Sequence, residues 1–228
     1  MYLAPRINRR ITAMRAVLQG SVPLETVLDS VQSALKPFGI RVYLIPDGEL
    51  SRPDFVCSGL YDFQKKRQPI DIVLHFHEGN RCFNFTNKSW RNFSFLLSQV
   101  VQHELIHKCQ YSHRQAIENG GATLYYDIKA GEKSDKEHMD YLAELDEIEA
   151  YAHDIALEIL HHYPSTNPYE ILRTINRRRK LWSWNFYRDA FRYSEDWSDV
   201  RHRLLKKTYQ WLPIVMAEQR KTSMKSMT

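Results

Sequence analysis

His103-Glu104-Leu105-Ile106-His107 reads H-E-x-x-H, and the rest of the chain is best understood outward from it. On an α-helix, residues four apart stack on one face. His103 and His107 can therefore turn imidazole nitrogens toward one ion, with Glu104 beside them. Two neutral nitrogen ligands, a nearby carboxylate and an open coordination position are what a hydrolytic zinc site requires. The run from Trp90 to Gln102 holds no Gly or Pro, and its Phe93, Leu96, Leu97, Val100 and Val101 recur at helical spacing. Continuing that stripe reaches His103 and His107, which places both on the inward face. Polar groups buried there need partners, and a metal would be one.

A third ligand is needed, and two residues compete for the position. His113 gives H-E-x-x-H-x5-H, a spacing similar to that of the metzincins. Those proteins leave the helix at a glycine, whereas this chain has Gln110 there. Lys108, Cys109, Gln110 and Tyr111 are thus expected to continue the helix and turn His113 aside. The other candidate is in the run Tyr141 to Leu160, long and free of Gly and Pro. With Leu142, Leu145, Ile148, Ala152, Ile155 and Ile159 as its buried stripe, Glu149 falls inside the stripe and Glu147 nearly opposite. A buried acid calls for a cation; Glu147 reads as a solvated charge.

Glu149-Ala150-Tyr151-Ala152-His153-Asp154-Ile155-Ala156 resembles the E-x-x-A-[N/D]-x-x-A helix of gluzincin metallopeptidases. The pairing of H-E-L-I-H with D-E-I-E-A-Y-A is also similar to small metallopeptidases encoded by bacteriophages. The matched residues span the two helices from Phe93 to Ile159. The resemblance implies an α+β, zincin-like fold: a small N-terminal mixed sheet, then the active-site helix and a mostly helical C-terminal half. It implies Zn2+ on His103, His107 and Glu149, with Glu104 as catalytic base in the hydrolysis of a protein or peptide substrate. His153 stands where such proteins carry Asp or Asn to orient a ligand. Tyr151, His153 and the basic-aromatic stretch after Lys180 offer donors to an oxyanion. Two other classes share the motif: a zinc amidase acting on a non-peptide, cell-wall amide, and a catalytically silent zincin-fold interaction protein. Intact Glu104 argues against the silent class.

At 228 residues, 43% hydrophobic and 26% charged, the chain can bury one substantial core. A single domain over 1–220 is expected, sheet-containing to about 88 and helical from about 89, with a disordered tail over 221–228. Leu24 to Leu35 is an amphipathic helix, Ile40 to Ile45 a strand, and Ile70 to His77 a second strand. In zincins the sheet precedes the active-site helix and its edge strand pairs with substrate, and by that resemblance Ile70 to His77 is the expected edge. His75 and His77 share its solvent face. Asn119-Gly120-Gly121 and the segment from Ala130 to Lys136 read as a turn and an exposed loop between the site helices. A helix from Tyr169 runs into Arg177-Arg178-Arg179-Lys180, followed by Trp182, Trp184, Phe186, Tyr187, Phe191 and Tyr193. A last helix from Asp199 to Leu212 is expected to stop at Pro213.

A net charge of +5 and arginines interleaved with aromatics suit single-stranded nucleic acid. The favoured reading is a basic helix end with aromatics at core spacing. Cys57, Cys82 and Cys109 are odd in number and have no paired ligand spacing, which suits a reducing compartment. The N-terminus has no signal-peptide core, and no apolar stretch is long enough to span a membrane. A cytoplasmic setting is expected, or a virion if the gene is a phage's.

Overall fold

In the computed structural model the N-terminal apolar spacing becomes helices laid on one face of a sheet. Residues 5–65, 67–117 and 135–225 are described. The chain divides into two compact units, Met1–Gly120 and Gly121–Thr228. The change from strands to helices falls where expected, near residue 88: among the described residues the last strand ends at Phe85 and only helical elements follow from Asn87.

In the first unit, α1 (Pro5–Ala13) buries Ile7 and Ile11. Strand β1 (Gly20–Pro23) leads into α2 (Leu24–Leu35), whose buried Leu24, Val27, Val31 and Leu35 give the expected stripe. Pro37 lies in a short 3-10 turn, and Gly39 then takes φ +75°, a left-handed conformation that glycine adopts without Cβ strain. From there run β2 (Ile40–Asp47), β3 (Phe55–Tyr61) and β4 (Ile70–His77).

These three strands form a sheet of order β2-β4-β3, with β4 parallel to β2 and antiparallel to β3. The expected edge assignment for Ile70–His77 is thereby corrected: β4 is central. Its strict alternation explains why, since Ile70, Ile72, Leu74 and Phe76 are all fully buried beneath the helices. The β2 edge is tied to α2 by Gln32, whose amide donates to Ile40 O (3.1 Å) and accepts from Val42 N (2.9 Å). The other edge, β3, is a strand that periodicity alone does not announce. On the outer face, Asp71 accepts from Arg41 and Lys65 (both 2.9 Å), and Ser58 meets His75 at 3.2 Å.

Strand β5 (Cys82–Phe85) pairs antiparallel with β1. Its Phe83 and Phe85 join Phe55, Phe76 and Phe93 in an aromatic cluster, with Phe93 5.2 Å from both Phe55 and Phe85. Such ring pairs add about 0.5–1.5 kcal/mol each beyond simple burial. Helix α3 (Asn87–Ile117) follows. Thr86 Oγ1 accepts from Ser89 N (3.1 Å) and Ser89 Oγ from Thr86 N (2.8 Å), a reciprocal cap that satisfies donors left open at a helix start.

The second unit is helical: α4 (Asp135–Leu142), α5 (Leu145–His162), α6 (Pro168–Arg173), α7 (Trp182–Ala190) and α8 (Trp197–Lys225). The single run read from Tyr141 to Leu160 breaks at Ala143–Glu144, and Leu145 is 66% exposed rather than in the stripe. Ile148, Ala152, Ile155 and Ile159 pack with Trp184, Tyr187, Phe191, Leu204 and Leu212. The buried Glu158 carboxylate accepts from Ser183 N (3.1 Å) and Ser183 Oγ (2.7 Å), placing negative charge at the positive end of α7. The helix from Tyr169 is shorter than expected, ending at Arg173 before a 3-10 turn over Ile175–Arg177. Pro213 does not stop α8, and residues 221–225 of the expected tail are helical. Leu212 and Val215, both buried, hold the helix through the proline although its interior position costs about 3 kcal/mol. The turn expected over 119–121 and residues 130–134 of the expected loop lie outside the described residues, while Asp135 and Lys136, also expected in that loop, open α4. Among the described residues no helix is long and apolar enough to cross a membrane.

Candidate metal centre

Along α3 the buried series Phe93, Leu97 and Val101 reaches Glu104, which is 5% exposed. Glu104 continues the face turned to the sheet. Its neighbour there is β3. A Cβ on Gly59 would stand 2.6 Å from Glu104 Oε1 and 2.8 Å from Val100 Cγ1, closer than side chains can sit, so only glycine lets strand and helix approach this far. Two residues back on the same strand, burial pushes the Cys57 thiol well up, and the Glu104 carboxylate pushes it further. The carboxylate is therefore enclosed by backbone and an un-ionised thiol.

His103 and His107 are stacked one turn apart, ring centroids 4.8 Å apart at 72°. His107 is buried and His103 half-buried. Gln110 Oε1 lies 3.0 Å from His107 Nδ1. With that oxygen accepting Nδ1–H, the lone pair resides on Nε2, the tautomer a metal-ligating imidazole needs. The residue in the glycine position of the metzincin pattern thus orients a histidine. The helix continues beyond it as expected, and His113 lies on its exposed side.

In the second unit the acids trade the places expected of them. Glu147 is 4% exposed and accepts a hydrogen bond at Oε1 from the Tyr141 hydroxyl. Glu149 keeps 36% of its side chain exposed and faces Lys207 Nζ at 3.5 Å. The reading of Glu149 as the buried acid and Glu147 as the solvated one is therefore reversed. Burial, and then the Glu147 carboxylate, raises the Tyr187 hydroxyl well above the usual tyrosine range. Tyr151 stacks on Phe186 (5.6 Å) and meets Tyr187 edge-on (5.0 Å). His153 is 1% exposed, with its ring against Trp211 at 4.8 Å and Nδ1 3.8 Å from Asp154 Oδ1.

Among the described residues, His103, His107 and Glu147 are the group of His, Cys, Asp and Glu side chains that could hold a metal ion. Two imidazoles and one carboxylate are a donor set that zinc accepts, with room for a water as fourth ligand. An Nδ1–H donated to Gln110 leaves Nε2 as the His107 nitrogen to face such an ion. None of the three cysteines forms a disulfide, and none belongs to this group. Sequence reasoning missed Gly59 and Tyr141. A glycine inside a strand was the available signal for the first; none pointed to the second. No model of a protein family, no curated protein and no solved structure matches this chain significantly.

Proposed function

We propose that the protein is a zinc-dependent peptidase of zincin-like fold, with His103, His107 and Glu147 as metal ligands and Glu104 as the base. The observation that carries the reading is the metal-capable group of two histidines and a carboxylate, with a buried glutamate between those histidines in sequence. The α+β build of the first unit, a small sheet preceding the motif helix, supports the fold assignment.

Zinc, when bound, supplies a water that ionises near neutral pH and polarises a carbonyl. Glu104 takes a proton from the attacking water and returns it to the leaving amine. Glu104 is 5% exposed and lies against Gly59 of β3, which shields it from bulk solvent. Strand β3, antiparallel at the sheet edge and running past Glu104, is suited to align an extended peptide through backbone groups. Gln110 holds His107 in its ligating tautomer.

Metal analysis of the purified chain is expected to give one zinc per chain. Glu104→Gln is expected to keep that zinc and lose cleavage of a peptide library. A parent chain that binds no stoichiometric metal would sink the reading. A parent that binds zinc but cleaves only non-peptide amides would move the substrate to the amidase class.

A further inference from the structure

We propose that Tyr141 is the positioning residue for the Glu147 carboxylate, held over it by a turn that is pinned from two other helices. The proposal rests on the reading of Glu147 as a metal ligand. Tyr141 lies in the last turn of α4 and Glu147 in the first turn of α5. The Tyr141 hydroxyl donates to Glu147 Oε1. A carboxylate with one oxygen so engaged is steered to present the other, and hydrogen bonds of this kind fix the geometry of ligating carboxylates.

The turn between these helices is closed by Glu144 N donating to Tyr141 O at 3.1 Å, and it is also held from outside. Tyr187, fully buried in α7, donates its hydroxyl to Leu142 O at 2.9 Å. Arg203 of α8 donates from Nη1 to Ala143 O at 3.1 Å. Arg203 is itself oriented by Asp199, at 2.8 Å one helical turn earlier. Those two carbonyls belong to the residues directly after Tyr141. The last carbonyls of a helix have no partner within it, and here α7 and α8 supply the donors. Leu142 is 1% exposed, so packing secures the same point. Glu147 thus inherits its position from three neighbouring helices by way of one hydroxyl. The arrangement serves rigidity, since ligands displaced by fractions of an ångström bind metal poorly.

The test is Tyr141→Phe, which removes the hydroxyl and keeps the ring. Zinc affinity is measured by chelator competition on the full chain, together with the visible spectrum of the Co2+-loaded protein and thermal unfolding of the metal-free form. Zinc binding is expected to weaken by about 10–100-fold, with a changed Co2+ spectrum and an unchanged melting temperature for the metal-free chain. Arg203→Gln, which loosens the turn without touching Tyr141, is expected to shift both metal readouts in the same direction by a smaller factor. Unchanged affinity and spectrum in Tyr141→Phe would overturn the proposal, as would lost turnover with metal binding intact, which would make Tyr141 a substrate contact. If the parent chain binds no zinc, the metal-centre reading fails and takes this proposal with it. If the parent binds zinc and only the variant result is negative, the metal-centre reading stands alone.

Discussion

Gly59 on β3 and Glu104 on α3 approach so closely that a single methyl group would not fit between them. A Cβ there would sit 2.6 Å from Oε1 and 2.7 Å from Cγ of the glutamate. Gly59→Ala is therefore expected to destabilise the fold by about 1–3 kcal/mol, the usual cost of overpacking, and to move Glu104 off its position. Chemical denaturation and peptide turnover should both fall, while Ser58→Ala on the exposed face should stay within about 0.5 kcal/mol of the parent. Equal stability in all three chains would show that the helix and strand yield freely.

Gln110→Leu removes the oxygen that meets His107 Nδ1 at 3.0 Å. Zinc affinity is expected to fall by about 10–100-fold, and Gln110→Glu, which keeps an acceptor, should recover most of it. Chelator competition reads the difference. A leucine variant that binds as tightly as the parent would remove Gln110 from the metal centre.

The two acids of α5 are expected to behave oppositely. Glu149 pairs with Lys207 near the surface, where such pairs contribute about 0–1 kcal/mol, so Glu149→Ala should leave zinc binding intact. Glu147→Ala should lose more than the roughly 100-fold that removal of an outer partner costs. The reverse order in a titration of both variants would restore Glu149 as the third ligand.

Tyr61 sets an alkaline limit. Burial first, then Tyr111, Cys109 and Asp62, pushes its hydroxyl from 10.0 up to about 12. Between those values the folded chain keeps a proton that the unfolded chain has released. Its stabilising contribution is thus complete below pH 10 and is lost as pH rises toward 12. Tyr61→Phe is expected to show a shallower loss of stability over that window in denaturant titrations at stepped pH; parallel curves would exclude Tyr61 as the cause.

The helix bearing H-E-x-x-H was legible because Phe93, Leu97 and Val101 mark its inner face. The strand Ile70–His77 was equally plain from its alternation, yet its place in the sheet was not, because pairing order is a long-range property. Strand β3 was obscured by its Ser58-Gly59 pair: Gly59 is small because α3 lies against it, and Ser58 is on the exposed face. The third acid shows how a boundary error becomes a site error. Counting Leu142 and Leu145 into the α5 stripe tilted its centre toward Glu149. With the helix beginning at Leu145, the remaining Ile148, Ala152, Ile155 and Ile159 leave Glu147 and Glu149 about 100° to either side. Tertiary neighbours then decide: Tyr141 meets one acid and Lys207 the other. Pro213 was misread because packing around Leu212 and Val215 overrides local propensity.

The sheet order β2-β4-β3 also has a temporal meaning. Strands β2 and β3 leave the ribosome before the strand that joins them, and neither has a ladder until residues 70–77 arrive. During synthesis both wait as unpaired segments, the state in which chains are most open to wrong association. The residue that will lie against Glu104 is made early and seated late.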